Sequence, residues 1–173
     1  MKRFALILIT ALLALSINGL AFAKGPPTVV INGGGIAVNN NSGVFPDALT
    51  IGKVTALMKG GKVRGMVKAR TVLTADPTVT VAAIRGKVVC MEELDNFVWE
   101  VRFEVVRAAG AADGLVGAYG SVFVFDGGNP GAGNDFIDES FSTPADEECG
   151  NLVEGTDFGL EPVIAGNFKV RQR

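Results

Sequence analysis

Polar and apolar residues alternate with a period of two along much of this chain. The clearest run is FVWEVRFEVVR, which sets Phe97, Trp99, Val101, Phe103 and Val105 on one side and Val98, Glu100, Arg102, Glu104 and Val106 on the other. That spacing predicts a strand with one buried and one wet face. Seven further segments carry the same punctuation: Thr28 to Val38, Ala48 to Met58, Lys62 to Leu73, Val79 to Met91, Leu115 to Phe125, Asp135 to Phe141 and Val163 to Arg171. Between them lie pieces rich in residues that tolerate turns, among them NNNSG at 39–43, KGG at 59–61, ADP at 75–77, LDN at 94–96 and AAGAADG at 108–114. Eight strands joined mostly by short connections predict an all-β fold, a single antiparallel β-barrel or barrel-like sandwich. No sustained helical period follows residue 23, and the one short helical turn expected is PADEECG at 144–150. The Gly33-Gly34-Gly35 run reads as a bulge or barrel bend where a side chain would obstruct backbone approach.

The N-terminus departs from this pattern. In MKRFALILITALLALSINGLAFA, Lys2 and Arg3 precede an apolar run from Phe4 to about Leu15, and small residues end in Ala21-Phe22-Ala23. This is the order of a secretory signal peptide, and the apolar run is shorter than a membrane span requires. Residues 1–23 are therefore expected to be a cleaved signal peptide and 24–173 a single domain, secreted to the periplasm or the exterior, with no integral membrane segment. An exported chain with two cysteines, Cys90 and Cys149, and no histidine to share a zinc ion is expected to join them in a disulfide.

Charge adds little at this level. Without Lys2 and Arg3, 14 basic residues face 18 acidic ones, a net charge of −4. Read as a mildly acidic, mixed surface, that predicts no electrostatic footprint for nucleic acid or an anionic membrane. The absence of histidine excludes Ser-His-Asp, Cys-His and His-bearing zinc chemistry. The glycine-rich runs do not complete a nucleotide-binding fingerprint: Gly33 to Val38 lacks the last Gly of GxGxxG, and Gly61-Lys62 is followed by Val63.

One stretch gathers oxygen ligands. DGGNPGAGNDFIDES, Asp126 to Ser140, offers Asp126, Asn129, Asp135 and Asp138 as a candidate calcium site, with Asn134 and Glu139 nearby. It lacks an EF-hand's spacing and a β-roll's tandem copies, and Asp and Asn also serve their own turn backbone, so a structural loop is the leading expectation. Glu92, Glu93, Glu100 and Glu104 are available for paired-carboxylate hydrolysis, but no pair stands out. Trp99 is expected in the core.

Two blocks carry a resemblance. GKVVCMEELDNFVWEVRFEV, Gly86 to Val105, and VFVFDGGNPGAGNDFIDESFSTPADEECG, Val122 to Gly150, resemble a loosely defined family of small secreted bacterial proteins of no established activity. LEPVIAGNFKV, Leu160 to Val170, is similar to that family's closing strand. The resemblance implies a compact extracellular all-β domain, with Cys90 and Cys149 at the family's two cysteine positions. The leading expectation is thus a secreted, non-catalytic structural or binding protein. The alternatives are a barrel carrier for a small apolar ligand, a calcium-dependent surface module and a carboxylate hydrolase.

Overall fold

The computed structural model describes residues 28–38, 48–94, 97–128, 135–142, 149 and 161–173. The expected signal peptide, the 39–43 turn and the helical turn at 144–150, Cys149 apart, lie outside them. The described chain forms eight strands: β1 (Val29–Val38), β2 (Ala48–Lys59), β3 (Lys62–Leu73), β4 (Thr80–Glu93), β5 (Val98–Gly110), β6 (Tyr119–Phe125), β7 (Phe136–Ser142) and β8 (Glu161–Gln172). They follow one another around a closed antiparallel barrel, β8 pairing with β1. The expected all-β barrel is the fold found.

Local chemistry explains the connections. Lys59 pairs with Lys62 across a two-residue hairpin whose central Gly60 and Gly61 both have positive φ, 59° and 74°, the backbone that the twist of two paired strands favours. The β5–β6 connection is different: β5 runs on to Gly110, and a single 3₁₀ turn, Asp113–Leu115, lies between it and β6. Ala112 is buried there and Leu115 packs against the core. The sequence places a turn over 108–114 and a strand from Leu115, whereas in the structure β5 continues to Gly110 and β6 begins at Tyr119.

Inside, Ile31, Val54, Val67, Val101, Phe103, Val122, Val124 and Phe168 are buried. Glycines make room for the large rings. A Cβ on Gly86 would overlap the Phe103 ring, and one on Gly33 would fall 2.5 Å from the Phe168 Cα, its direct partner across β1 and β8. The glycine run in β1 therefore serves close approach, and the β1–β8 register slips just beyond it, between Ile36 and Ala37.

A second irregularity decides where the disulfide lies. Register shifts between Val88 and Cys90, so that Val88 opposes Phe103 while Cys90 opposes Arg102 and Met91 opposes Val101. Without the extra residue Cys90 would face the interior. With it, Cys90 stands on the outer side, where it is bonded to Cys149 with the two Cα atoms 6.0 Å apart.

Candidate functional site

Four places gather chemistry, and the carboxylate loop comes first. Pairing between β7 and β8 is brief: Phe136 opposes Pro162 and Ile137 opposes Glu161, and the Val163 amide donates to the Asp135 carbonyl at 2.9 Å. Among the described residues no strand pairs with β8 beyond that point on this side. Carboxylates take over the ladder: Asp135 Oδ2 accepts from the Phe168 amide at 2.6 Å and Asp126 Oδ2 from the Val170 amide at 2.7 Å. Their other oxygens accept from the turn, Asp135 Oδ1 from Gly127 N at 3.2 Å and Asp126 Oδ1 from Gly128 N at 2.8 Å. Each oxygen of these two acids thus holds a backbone N–H, and Asp135 is wholly buried.

Of the other calcium candidates, Asn129 lies outside the described residues. Asp138 stands on β7 opposite Phe123, with its side chain outside what is described. Among the described residues no group of three or more Cys, Asp or Glu is placed to hold a metal ion.

The same barrel end carries a cleft of about 360 Å³ lined by Glu93, Phe97, Trp99, Asp126, Val170 and Gln172. Gln172 Nε2 donates to Glu93 Oε2 at 3.0 Å across it. Trp99 is buried as expected, but Phe97 is not its neighbour on the inner face. It precedes β5, has φ 64° and is 76% exposed. The alternation that includes it in the strand counts one residue too many, because the turn reaches to Phe97 and its backbone leaves the extended region.

The third place is the outer face of β5 and β6. The sequence assigns Glu100 and Arg102 to a wet face; the structure buries them, at 1% and 8% exposed, with Val98, Ser121 and Phe123 beside them. Ser121 Oγ donates to Glu100 Oε1 at 2.6 Å, and Arg102 Nη1 lies 3.7 Å from the same oxygen. Register also sets Glu92 directly opposite Glu100. That is a carboxylate pair of the kind hydrolysis needs, but Glu100 is closed off from solvent and its oxygen is engaged, so no substrate reaches it. Glu93 opposes Trp99 and Glu104 opposes Lys87, away from that pair.

The fourth place was not legible from total charge. Residues 48–91 hold eight basic residues and one acid, Asp76, whereas 92–161 hold two basic residues and sixteen acids. The charges are thus segregated along the sequence, which the net sum does not show. Lys53 opposes Lys68, Lys68 opposes Arg85 and Arg85 opposes Arg107, forming one row across β2, β3, β4 and β5. All four are exposed. The signal that would have found them is the acid-free run from Ala48 to Ala75, a charge asymmetry that a net sum cancels.

Comparison with protein families, curated proteins and solved structures finds no match to this chain. Among the described residues no helix is long and apolar enough to cross a membrane.

Proposed function

We propose that this chain is an exported, non-catalytic barrel that serves as a binding or structural protein through its outer surface. The observation that carries the reading is the state of the interior. Ile31, Val54, Val101, Phe103, Val122, Val124 and Phe168 have at most 0% of their surface open to water. A void large enough for water would leave exposed surface on its lining, so these side chains line none. A ligand carrier of the usual barrel kind needs that space.

The acids that drew attention in the sequence are likewise occupied, Asp126 and Asp135 by backbone amides and Glu100 by Ser121 and Arg102. Export is supported by the charged, apolar, small-residue order of residues 1–23 together with a disulfide, a bond that persists in oxidising compartments. The resemblance to small secreted bacterial proteins belongs to the same proposal.

Two measurements on one preparation test it. Expressed in a bacterium, the protein should appear outside the cytoplasm with a mass beginning at Lys24, and native mass spectrometry should give the bare chain. A cytoplasmic protein retaining residues 1–23 would overturn the export reading, and a stoichiometric co-purified small molecule would replace the surface reading with a carrier.

A further inference from the structure

We propose that the outer face of β2, β3 and β4 is a docking surface for a linear acidic polysaccharide. The inference deepens the reading of the barrel as an outer-surface binder and rests on it. Its starting point is a cost. Like charges directly opposite on neighbouring strands destabilise a sheet, yet Lys53, Lys68, Arg85 and Arg107 stand in one cross-strand row. Arg70 flanks the row on one side, opposite Ile51, and Lys87 flanks it on the other, opposite Met66.

Among the described residues no acid stands in this row. Strands β2 and β3 contain no Asp or Glu, and the described residues place no ion pair on Lys53, Lys68, Arg70, Arg85 or Arg107. Arg85 Nε donates at 3.2 Å to the Met66 sulfur, a weak acceptor that leaves the positive charge uncompensated. The first acid alongside is Glu104, opposite Lys87. Folding alone does not favour such a row; a polyanion laid across it would turn mutual repulsion into shared attraction.

The shape of the row fits a chain. Strands sit about 4.8 Å apart, so its first and last charges are roughly 14 Å apart along a line crossing the strands. A shallow depression of about 300 Å³, lined by Ile51, Gly52, Lys53, Lys68, Ala69, Arg70 and Ala83, gives that line a floor. Guanidinium forks suit sulfate and carboxylate groups, and ammonium groups add point charge.

What the face lacks narrows the occupant. Strands β2, β3 and β4 contain no Phe, Tyr or Trp, so there is no platform on which bases of a single-stranded nucleic acid could stack, nor one for the apolar face of a neutral sugar. The exposed large apolar residues, Val38, Val79, Phe97, Val106, Val116 and Ile164, all lie off these three strands. Nothing on them would insert into a lipid interface. Charge is the recognition chemistry that remains, and a negatively charged sugar chain, unlike a single-stranded nucleic acid, needs no other.

The test uses heparin, a sulfated linear polysaccharide, titrated calorimetrically into the folded protein purified without residues 1–23. Binding is expected despite the protein's net negative charge, and should weaken steadily as salt is raised, as counterion release requires. The triple substitution Lys53→Gln, Lys68→Gln and Arg85→Gln should weaken it about tenfold or more, whereas Lys169→Gln, Arg171→Gln and Arg173→Gln should change it less than about threefold. The first variant's melting temperature should not fall, which separates lost binding from lost fold.

No binding at moderate salt, or equal losses in the two variants, would overturn the proposal. So would tighter binding to a single-stranded oligonucleotide or to phosphatidylglycerol vesicles, which would name another occupant. Self-association without heparin that the first variant abolishes would assign the face to the acidic half of a second copy. Export is read separately, from the mass and compartment of the protein, so either result can fail while the other stands.

Discussion

The barrel has two outer faces built from the same alternating pattern, and they differ in almost every physical respect. On β2 and β3 the outward Lys53, Lys68 and Arg70 are exposed, and neither strand holds an acid. On β5 and β6 the outward Val98, Glu100, Arg102, Ser121 and Phe123 are buried, and the disulfide is fixed beside them through Cys90, opposite Arg102. Period two says that successive side chains part to opposite sides of a sheet. It does not say that the second side meets water.

Removing the disulfide is the strongest way to break this contrast. Closing a loop between residues separated by 59 positions stabilises by about 4 kcal/mol in the chain-entropy model. Cys90→Ala with Cys149→Ala should lower stability by about that amount in urea titration. If the disulfide also maintains the buried face, amide exchange in β5 and β6 should quicken far more than in β2 and β3; equal quickening would mean the two faces do not differ in this way.

Asp135→Ala comes next. It strips the acceptor from the Phe168 and Gly127 amides and should cost about 3 kcal/mol, measured equally with calcium or with EGTA. A loss seen only when calcium is present would restore the metal reading.

Glu100→Ala tests the buried face directly. It removes the acceptor of Ser121 and the negative charge 3.7 Å from Arg102. About 2 kcal/mol should be lost, less than for a closely bonded buried pair because the separation is long. Glu104→Ala, half-buried on the same strand, should stay within about 0.5 kcal/mol.

On the basic face the sign reverses. Lys68→Glu sets an acid between Lys53 and Arg85 and should raise stability by about 0.5 kcal/mol, a gain that high salt erases. A loss of stability would mean that the row is not repulsive.

The smallest effect concerns Asp76, the one acid in residues 48–91. Its carboxyl is held below the usual range by the Thr78 hydroxyl at 2.6 Å and then by the Thr78 amide at 3.0 Å. A depressed carboxyl stabilises the fold fully above its unfolded pKa, and the contribution fades as pH falls through the folded one. Thr78→Val should move the NMR titration of Asp76 up toward the ordinary value. Lys68→Glu should leave it in place, since the cause is local bonding and not the field of the basic face.

Strand positions were legible because alternation and turn residues act locally. Lys62–Leu73 has the ends read from sequence, and β1 differs from its expected start by one residue. The paired cysteines followed from composition and the expectation of export. The side on which Cys90 stands did not, because it depends on a register slip at Val89 that only pairing with β5 reveals. Phe97 was misplaced for a similar reason: its hydrophobicity fits the period, but its backbone belongs to the turn. The roles of Asp126 and Asp135 needed Val170 and Phe168, 44 and 33 residues away. Glu100 needed Ser121. The basic row needed four strands in register, although the run of chain without acids was already in view.

The two aspartates at the β7–β8 seam bear on how the protein behaves in a crowd. A strand with unpaired amide groups is an invitation to another chain, and sheets that leave such an edge open can add strands from their neighbours. Here the amides of Phe168 and Val170 that an incoming strand would bind are already taken by Asp135 and Asp126, and an acid cannot extend the ladder to a next strand. Those two amides are thereby closed to recruitment, and concentrated protein should resist fibre formation for as long as the two carboxylates stay in place.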